Sequence, residues 1–235
     1  MKIYNVIEDN DKIYIVTDDF RGADLFSYTI LKNQLSEAEA ASIASQMASC
    51  IKYLHKHNIV VRRLKLESIY FAEHESIHEV RLTDLSLCNY LENLQNEAPF
   101  HLEDAFKPPK SSFLGVLKFI PQYNHSMSAP ELLPPINYLQ DPRRYYDQKV
   151  DVWTLGCIIF NLVTGVPAYY NDDKSIQTEL FAKIRAADWR NNLVAQCENA
   201  TSNLFNILER CFTVDAAERI DSGEVINHPF FQVEN

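Results

Sequence analysis

The chain opens with two short segments in which apolar and polar residues alternate. Residues 3–8 and 12–17 follow this period of two, and Asp9-Asn10-Asp11 separates them. Alternation on both sides of a short polar turn is typical of a β-hairpin. The first twenty residues are therefore predicted to form two strands.

Helical spacing replaces this alternation after the hairpin. Asp24 can cap a short helix from Leu25, and Ser36 to Glu39 form a capping box before apolar residues spaced three or four apart. This second helix is predicted to end near Lys56. Four further helical patterns cover residues 150–162, 175–187, 202–211 and 222–227.

The middle of the chain has a different pattern. Two short apolar stretches, 68–71 and 80–83, predict a small hairpin with Asp84 at its end. Residues 89–128 contain four prolines and no sustained periodicity, which predicts a long loop, and 134–146 predict a second loop. Many helices with few strands indicate the α+β class.

Composition excludes several classes of function. The chain has 235 residues and 46% hydrophobic content, enough for a sizeable core. With 22 basic and 32 acidic residues its formal charge is -10, which disfavours binding to nucleic acids or anionic membranes. The apolar run 150–170 contains Asp151, Asn161 and Pro167, so it predicts a buried helix rather than a membrane span.

Cysteine usage predicts a cytoplasmic location. The five cysteines are scattered and include no Cys-x-x-Cys pair, so neither a disulfide framework nor a zinc site is indicated. Met1 leads directly into the alternating segment, without the charged leader and apolar core of a signal peptide. Secretion is not expected.

The segment Val61-Arg62-Arg63-Leu64, followed by Lys65 and Ser68, carries the chemistry that matters most. It resembles the catalytic loop of protein kinases, His-Arg-Asp-Leu-x-x-x-x-Asn, in which the aspartate is the base and the asparagine binds magnesium. Val61, Arg63 and Ser68 stand where that pattern has histidine, aspartate and asparagine. Lys65 matches its phosphate-facing lysine.

Four further motifs occur in the order that the kinase family has them. Asp84-Leu85-Ser86 matches the metal-binding Asp-Phe-Gly triplet, and Ala129-Pro130-Glu131 matches Ala-Pro-Glu. The resemblance makes Asp151 the acceptor that supports the catalytic-loop backbone. It also makes Arg219 the ion-pair partner of Glu131.

The resemblance covers almost the whole chain and is closest to calcium- and calmodulin-dependent serine/threonine kinases. It implies a protein kinase-like α+β fold, with remnant N-lobe strands and the hinge at 1–20. A mostly helical C-terminal lobe would follow at 21–235, with a long activation-segment insert at about 89–128. Asp18, Asp19 and Phe20 match the hinge that contacts a bound nucleotide.

The departures from the kinase pattern predict a degenerate site. Arg63 has five donors and no acceptor and stays protonated, so it cannot act as the base. Ser68 offers a neutral hydroxyl, which leaves Asp84 as the remaining metal ligand. Arg62, Arg63 and Lys65 form either an anion-binding cluster or a solvated basic loop, and the sequence leaves both open.

The glycine-rich loop and the lysine–glutamate pair of kinases precede the hinge, so this chain is not expected to contain them. No Gly-x-Gly-x-x-Gly occurs. No cofactor is therefore expected, beyond weak binding of ATP and magnesium. The protein is predicted not to be an enzyme but a pseudokinase that acts as a binding or regulatory scaffold, with another protein covering the exposed upper face of its C-lobe.

Two alternatives to the pseudokinase remain at this stage. One is an active serine/threonine kinase whose N-lobe is encoded upstream or supplied in trans. The other is a structural subunit of a larger assembly.

Overall fold

The computed structural model of the protein describes residues 2–73, 76–83, 88–90, 125–133, 146–171 and 177–232. Its α-helices are α1 Leu25–Lys32, α2 Glu37–Lys56, α3 Lys149–Thr164, α4 Gln177–Ala186, α5 Arg190–Gln196, α6 Ser202–Cys211 and α7 Ser222–Val225. Its strands are β1 Ile3–Glu8, β2 Ile13–Thr17, β3 Ile59–Val60, β4 Ile69–Phe71, β5 Val80–Leu82 and β6 Asn89–Tyr90. Helices with a few short strands confirm the predicted α+β class.

Helix α3 forms the centre of the core. It is apolar on nearly every side, so α2 and α6 can pack against different faces of it. Trp153 of α3 lies with its ring 5.6 Å from that of Tyr169 and 5.1 Å from that of Phe212. The apolar run that starts at residue 150 is therefore a buried helix, as predicted.

Helix α2 begins where its capping box places it. Ser36 accepts a hydrogen bond from the Glu39 backbone N–H at 3.3 Å, and Glu39 accepts one from the Ser36 N–H at 3.0 Å. The two bonds satisfy N–H groups that a helix start leaves without partners. Asp24 caps α1 in a similar way, since it accepts the Ser27 N–H at 2.8 Å.

Strands β1 and β2 form the predicted antiparallel hairpin, with Val6 opposite Ile15 and Ile7 opposite Tyr14. Neighbouring residues of a strand point to opposite faces, so this register puts apolar side chains on both faces of the hairpin. All four of these side chains are between 48% and 58% exposed. A hairpin of only two strands is marginally stable in water. Pairing between β1 and β2 therefore contributes little stability by itself.

Two smaller hairpin-like pairs follow. Strands β4 and β5 pair as predicted, with Ile69 opposite Leu82. Strand β3 pairs with β6, whose Asn89 and Tyr90 belong to the segment predicted as a loop from residue 89. That prediction is wrong at these two positions because a two-residue strand formed by distant pairing leaves no local periodicity.

Helix α5 and the two predicted loops also differ, in whole or in part, from the predictions or lie outside the described residues. Helix α5 was not predicted, since seven residues are too few for a clear helical repeat. The short 3₁₀ helix His125–Met127 lies within the first predicted loop, where three residues are too few for a helical repeat to show in the sequence. Residues 91–124 and 134–145 of the two predicted loops lie outside the described residues. Tyr146, at the end of the second predicted loop, is buried.

Candidate active site

The carboxylate of Asp151 holds the segment between β3 and β4. Asp151 in α3 is fully buried and accepts the backbone N–H groups of Val61 at 2.8 Å and Arg62 at 2.7 Å. His55 at the end of α2 places Nε2 2.9 Å from the same carboxylate. A buried carboxylate needs such donors to offset its loss of solvent. These bonds fix the backbone of the loop to the core.

The loop turns sharply at Arg62. Its φ of 65° lies in the left-handed region, and the Arg63 N–H donates to the Val61 carbonyl at 2.7 Å across the turn. A non-glycine residue in such a three-residue turn is strained, at a cost of about 1–3 kcal/mol. The Arg62 side chain is itself buried and donates from Nη1 to the Tyr146 hydroxyl at 3.2 Å. The surrounding contacts therefore hold a conformation that the loop alone would avoid.

The structure places the predicted catalytic positions along this turn. Val61 is buried, and Arg63 and Lys65 are half-buried. Arg63 is thus the residue that directly follows the strained turn, at the position of the kinase base. Its guanidinium brings positive charge and donors there, but no proton acceptor.

Ser68 lies where the loop joins β4. Its carbonyl accepts both the N–H of Thr83 at 2.9 Å and the Thr83 hydroxyl at 3.0 Å, which ties the loop to the end of β5. Its hydroxyl is buried and has no hydrogen-bond partner among the described residues. Only 1% of Ser68 is exposed. Its neutral hydroxyl is a weaker ligand for a hard cation than the amide carbonyl that the kinase pattern has at this position.

The metal ligand predicted at Asp84 lies outside the described residues, together with Leu85 and Ser86. Within the described ranges, no group of three or more histidine, cysteine, aspartate or glutamate side chains could hold a metal ion.

Of the three predicted hinge residues, Phe20 lies close to the strand that follows the catalytic loop. The ring centroid of Phe20 is 5.7 Å from that of Tyr70 in β4. Asp18 instead closes the open end of the hairpin, because its carboxylate accepts the Lys2 N–H at 2.6 Å and the Tyr4 hydroxyl at 2.9 Å. These hydrogen bonds lower the pKa of Asp18, the one from Lys2 most. Asp19 is exposed.

Glu131 and Arg219 meet beside the N-terminal half of α3. Both terminal nitrogens of Arg219 donate to the Glu131 carboxylate, at 2.7 and 3.0 Å. The guanidinium also lies 5.1 Å from the centroid of the Trp153 ring. This pair connects the short helix Pro130–Leu132 with the segment before α7.

Sequence reasoning missed two residues beneath the loop. His55 places Nδ1 2.9 Å from the hydroxyl of Ser222 in α7, and both side chains line a surface cavity of about 450 Å³. Ile43, Met47 and Ile51 are spaced four apart on the buried face of α2, and His55 is the next residue in that series. A polar residue that continues an apolar helical stripe was the signal that could have found it.

Comparison with known proteins assigns this arrangement to a family. The family described as "Protein kinase domain" matches residues 1–231. The chain belongs to the protein kinase family. The protein kinase-like fold predicted from the motifs is therefore confirmed.

Curated relatives of this kinase domain are kinases by name, and one of them is named a serine/threonine-protein kinase. It is 24% identical over 232 residues to "Calcium-dependent protein kinase 3" of Plasmodium yoelii yoelii, covering 99% of the chain and 37% of the relative. It is 28% identical over 229 residues to "Putative ribosomal protein S6 kinase alpha-2" of Caenorhabditis elegans, covering 97% and 28%. It is 27% identical over 226 residues to "Serine/threonine-protein kinase sgk-1" of the same species, covering 95% and 41%.

These relatives correct one prediction. The kinase domain was predicted not to be an enzyme, and that prediction is wrong, because the family match and the relatives' names point to an enzyme. That prediction rested on Arg63, Ser68 and Ser86 and on the absence of a Gly-x-Gly-x-x-Gly motif, which describe single positions and one loop rather than the family. The kinase domain spans between 28% and 41% of the length of these three relatives.

The membrane prediction concerned helix α3. None of the helices in the described ranges has the length and apolar composition that crossing a bilayer requires.

Proposed function

We propose that this domain acts in a serine/threonine protein kinase, which transfers the terminal phosphoryl group of ATP to hydroxyl groups of proteins. The observation that carries the proposal is the catalytic-loop backbone, which Asp151 holds through the N–H groups of Val61 and Arg62. The names of the relatives support the same reaction class. ATP supplies the phosphoryl group, and the loop positions the residues around the acceptor hydroxyl.

The proposed enzyme is slow, because Arg63 cannot accept the proton of the acceptor hydroxyl. Phosphoryl transfer depends mainly on positioning and on stabilising negative charge, and a general base adds about 10²- to 10⁴-fold. The loop retains positively charged side chains at Arg63 and Lys65, both half-buried. Such donors favour anionic phosphate oxygens.

Nucleotide binding in this proposal is weak. The buried hydroxyl of Ser68 stands at the position of a metal-binding amide, which supports low affinity for a second magnesium ion. A thermal-shift titration with ATP and magnesium measures this affinity directly. Saturation at micromolar ATP would contradict weak binding.

The experiment for the kinase proposal measures transfer from radiolabelled ATP to a general protein substrate. The enzyme is the natural full-length protein in purified form. We expect slow transfer that Asp84→Ala abolishes. Arg63→Asp should raise the rate by up to about 10²- to 10⁴-fold, since it restores a carboxylate at the base position.

Arg63→Ala is the matched control. It removes the arginine without adding a base, so it separates the effect of the carboxylate from the effect of lost positive charge. Absence of transfer by both the natural protein and the Arg63→Asp variant would overturn the proposal.

A second candidate function is binding of another protein, and the exposed hairpin favours it. Val6, Ile7, Tyr14 and Ile15 expose apolar surface on both faces of β1 and β2. Water disfavours such surface, which supports a covering partner. A regulatory or structural role in a larger assembly would use the same surface. The five cysteines are scattered and include no Cys-x-x-Cys pair, which supports a reducing cytoplasm as the compartment.

Amide hydrogen exchange tests this second function. We expect Val6 and Ile15 to exchange more slowly in protein isolated from its natural cells than in the recombinant chain alone. Equal exchange in the two preparations would count against a covering partner.

A further inference from the structure

A chain of hydrogen bonds runs from the surface cavity to the catalytic loop. The Ser222 hydroxyl lies 2.9 Å from His55 Nδ1, and His55 Nε2 lies 2.9 Å from Asp151 Oδ2. The next bonds are those from the Val61 and Arg62 N–H groups to Asp151. Ser222, His55 and Asp151 are 8%, 7% and 0% exposed, so water hardly competes for these bonds.

The direction of each bond follows from the chemistry of the groups. Asp151 accepts backbone N–H groups on both of its oxygens, so His55 Nε2 must carry the proton that faces it. In the neutral imidazole the other nitrogen, Nδ1, is then an acceptor, and the Ser222 hydroxyl donates to it. The serine hydroxyl thus favours one tautomer and one ring orientation of His55.

We propose that Ser222 is a positioning residue for the catalytic loop, acting through His55 and Asp151. When its hydroxyl holds Nδ1, the Nε2–H of His55 stays directed at the carboxylate. The carboxylate then stays directed at the N–H groups of Val61 and Arg62. The consequence for catalysis rests on the proposed kinase function, whereas the positioning itself is measurable without phosphoryl transfer.

Helix capping does not explain the Ser222 hydroxyl. Asp221 caps α7, since its Oδ1 accepts the N–H groups of Gly223 at 2.7 Å and Glu224 at 2.8 Å. Glu224 completes a capping box with the Asp221 N–H at 3.2 Å. The hydrogen bond of the Ser222 hydroxyl to His55 is therefore an addition to a helix start that is already complete.

The first measurement is the imidazole ¹⁵N spectrum of the full chain. His228 is the internal reference, because its Nδ1 accepts the Phe230 N–H at 3.1 Å and its Nε2 faces Asn206 Oδ1 at 2.8 Å, which requires a proton on Nε2. We expect His55 to show the same tautomer. Ser222→Ala removes the donor to Nδ1 of His55. The Nδ1 resonance of His55 should then shift toward that of an unprotonated nitrogen without a hydrogen bond, and the resonances of His228 should not change.

The second measurement is amide exchange at Val61 and Arg62. Loss of one hydrogen bond from the chain should speed exchange at these two amides by roughly 2- to 10-fold in Ser222→Ala. The core amide of Ile207 in α6 should not change. Ser222→Thr keeps the hydroxyl and should restore slow exchange at both loop amides.

Ser36→Ala is the matched control, since it removes a serine hydroxyl that caps α2 and does not touch His55. Ser36→Ala should not speed amide exchange at Val61 and Arg62 relative to that at Ile207. Equal acceleration of all amides in Ser222→Ala, or none at the two loop amides, would overturn the proposal. If Ser222→Ala does not fold, the natural protein still decides, because a proton on Nδ1 of its His55 would also overturn it.

Discussion

Arg219 and Glu131 form a two-pronged ion pair in which the arginine side chain is fully buried. Its two terminal nitrogens donate to the two carboxylate oxygens at 2.7 and 3.0 Å. The remaining donors reach backbone carbonyls, among them those of Thr213 at 2.9 Å and Lys149 at 3.0 Å. A buried guanidinium with its donors satisfied in this way is a structural component.

Arg219→Ala should lower the free energy of unfolding by about 3–5 kcal/mol, because it leaves the Glu131 carboxylate without its buried partner. Urea unfolding measures the change. Arg190→Ala is the control, since its ion pair with Glu209 is exposed and should contribute about 0–1 kcal/mol. Similar losses in the two variants would show that burial of Arg219 is unimportant.

Asp151→Asn should lower stability by about 3 kcal/mol or more. The asparagine amide keeps one acceptor oxygen, but its NH₂ group replaces the other. That NH₂ group would face N–H donors that bind the second carboxylate oxygen in the natural protein. Asp215→Asn is the control, because Asp215 is exposed and its carboxylate accepts the N–H of Ala217 at 2.9 Å. Urea unfolding that shifts equally for both variants would contradict this role of Asp151.

His228 should make the protein less stable in mild acid. Burial, and secondarily the charge of Arg210, lower the pKa of His228 below its ordinary value of 6.5. Above pH 6.5 the imidazole is neutral in both the folded and the unfolded chain. As the pH falls below 6.5, the unfolded chain takes up the proton first, so the free energy of unfolding decreases until the folded-state pKa is passed.

His228→Asn isolates this effect. Asparagine does not titrate, and its side-chain oxygen can still accept the Phe230 N–H that His228 accepts at 3.1 Å. Urea midpoints between pH 7.5 and 5.5 should therefore fall less in this variant than in the natural protein. Parallel pH profiles would rule out His228 as the source. His125, whose pKa burial also lowers, contributes equally to both profiles.

Gly165→Ala should lower the free energy of unfolding by about 1–3 kcal/mol. Gly165 ends α3 at φ 73°, and a Cβ there would overlap the carbonyl oxygen of Asn33. Gly223→Ala is the control, because its added Cβ would meet only the Asp221 side chain, at 3.1 Å. Thermal unfolding measures both variants, and equal melting temperatures would contradict the steric argument.

Local sequence signals located the elements that make their own hydrogen bonds. The capping box at Ser36 placed the start of α2, and Asp24 placed the start of α1. Pairings between distant residues were less accessible. Ser222 and His55 lie 167 positions apart, and neither belongs to a motif, so no local pattern could join them.

In the catalytic loop, too, the sequence motif predicted some features, whereas others depend on contacts with distant residues. Its motif identified Arg63 and Ser68 as departures from the kinase pattern. The motif could not show that the Ser68 hydroxyl is buried, because that depends on how the loop packs against β5. The same departures predicted a protein that is not an enzyme, which the family match and the names of the relatives contradict.

Asp151 holds the loop through main-chain N–H groups, and every amino acid except proline supplies one. These two bonds can therefore form whichever side chain follows Arg62. A change of one codon at position 63 can alter the proton chemistry of the loop and leave its anchor intact. In this domain, shape and chemistry can be inherited, and engineered, independently of each other.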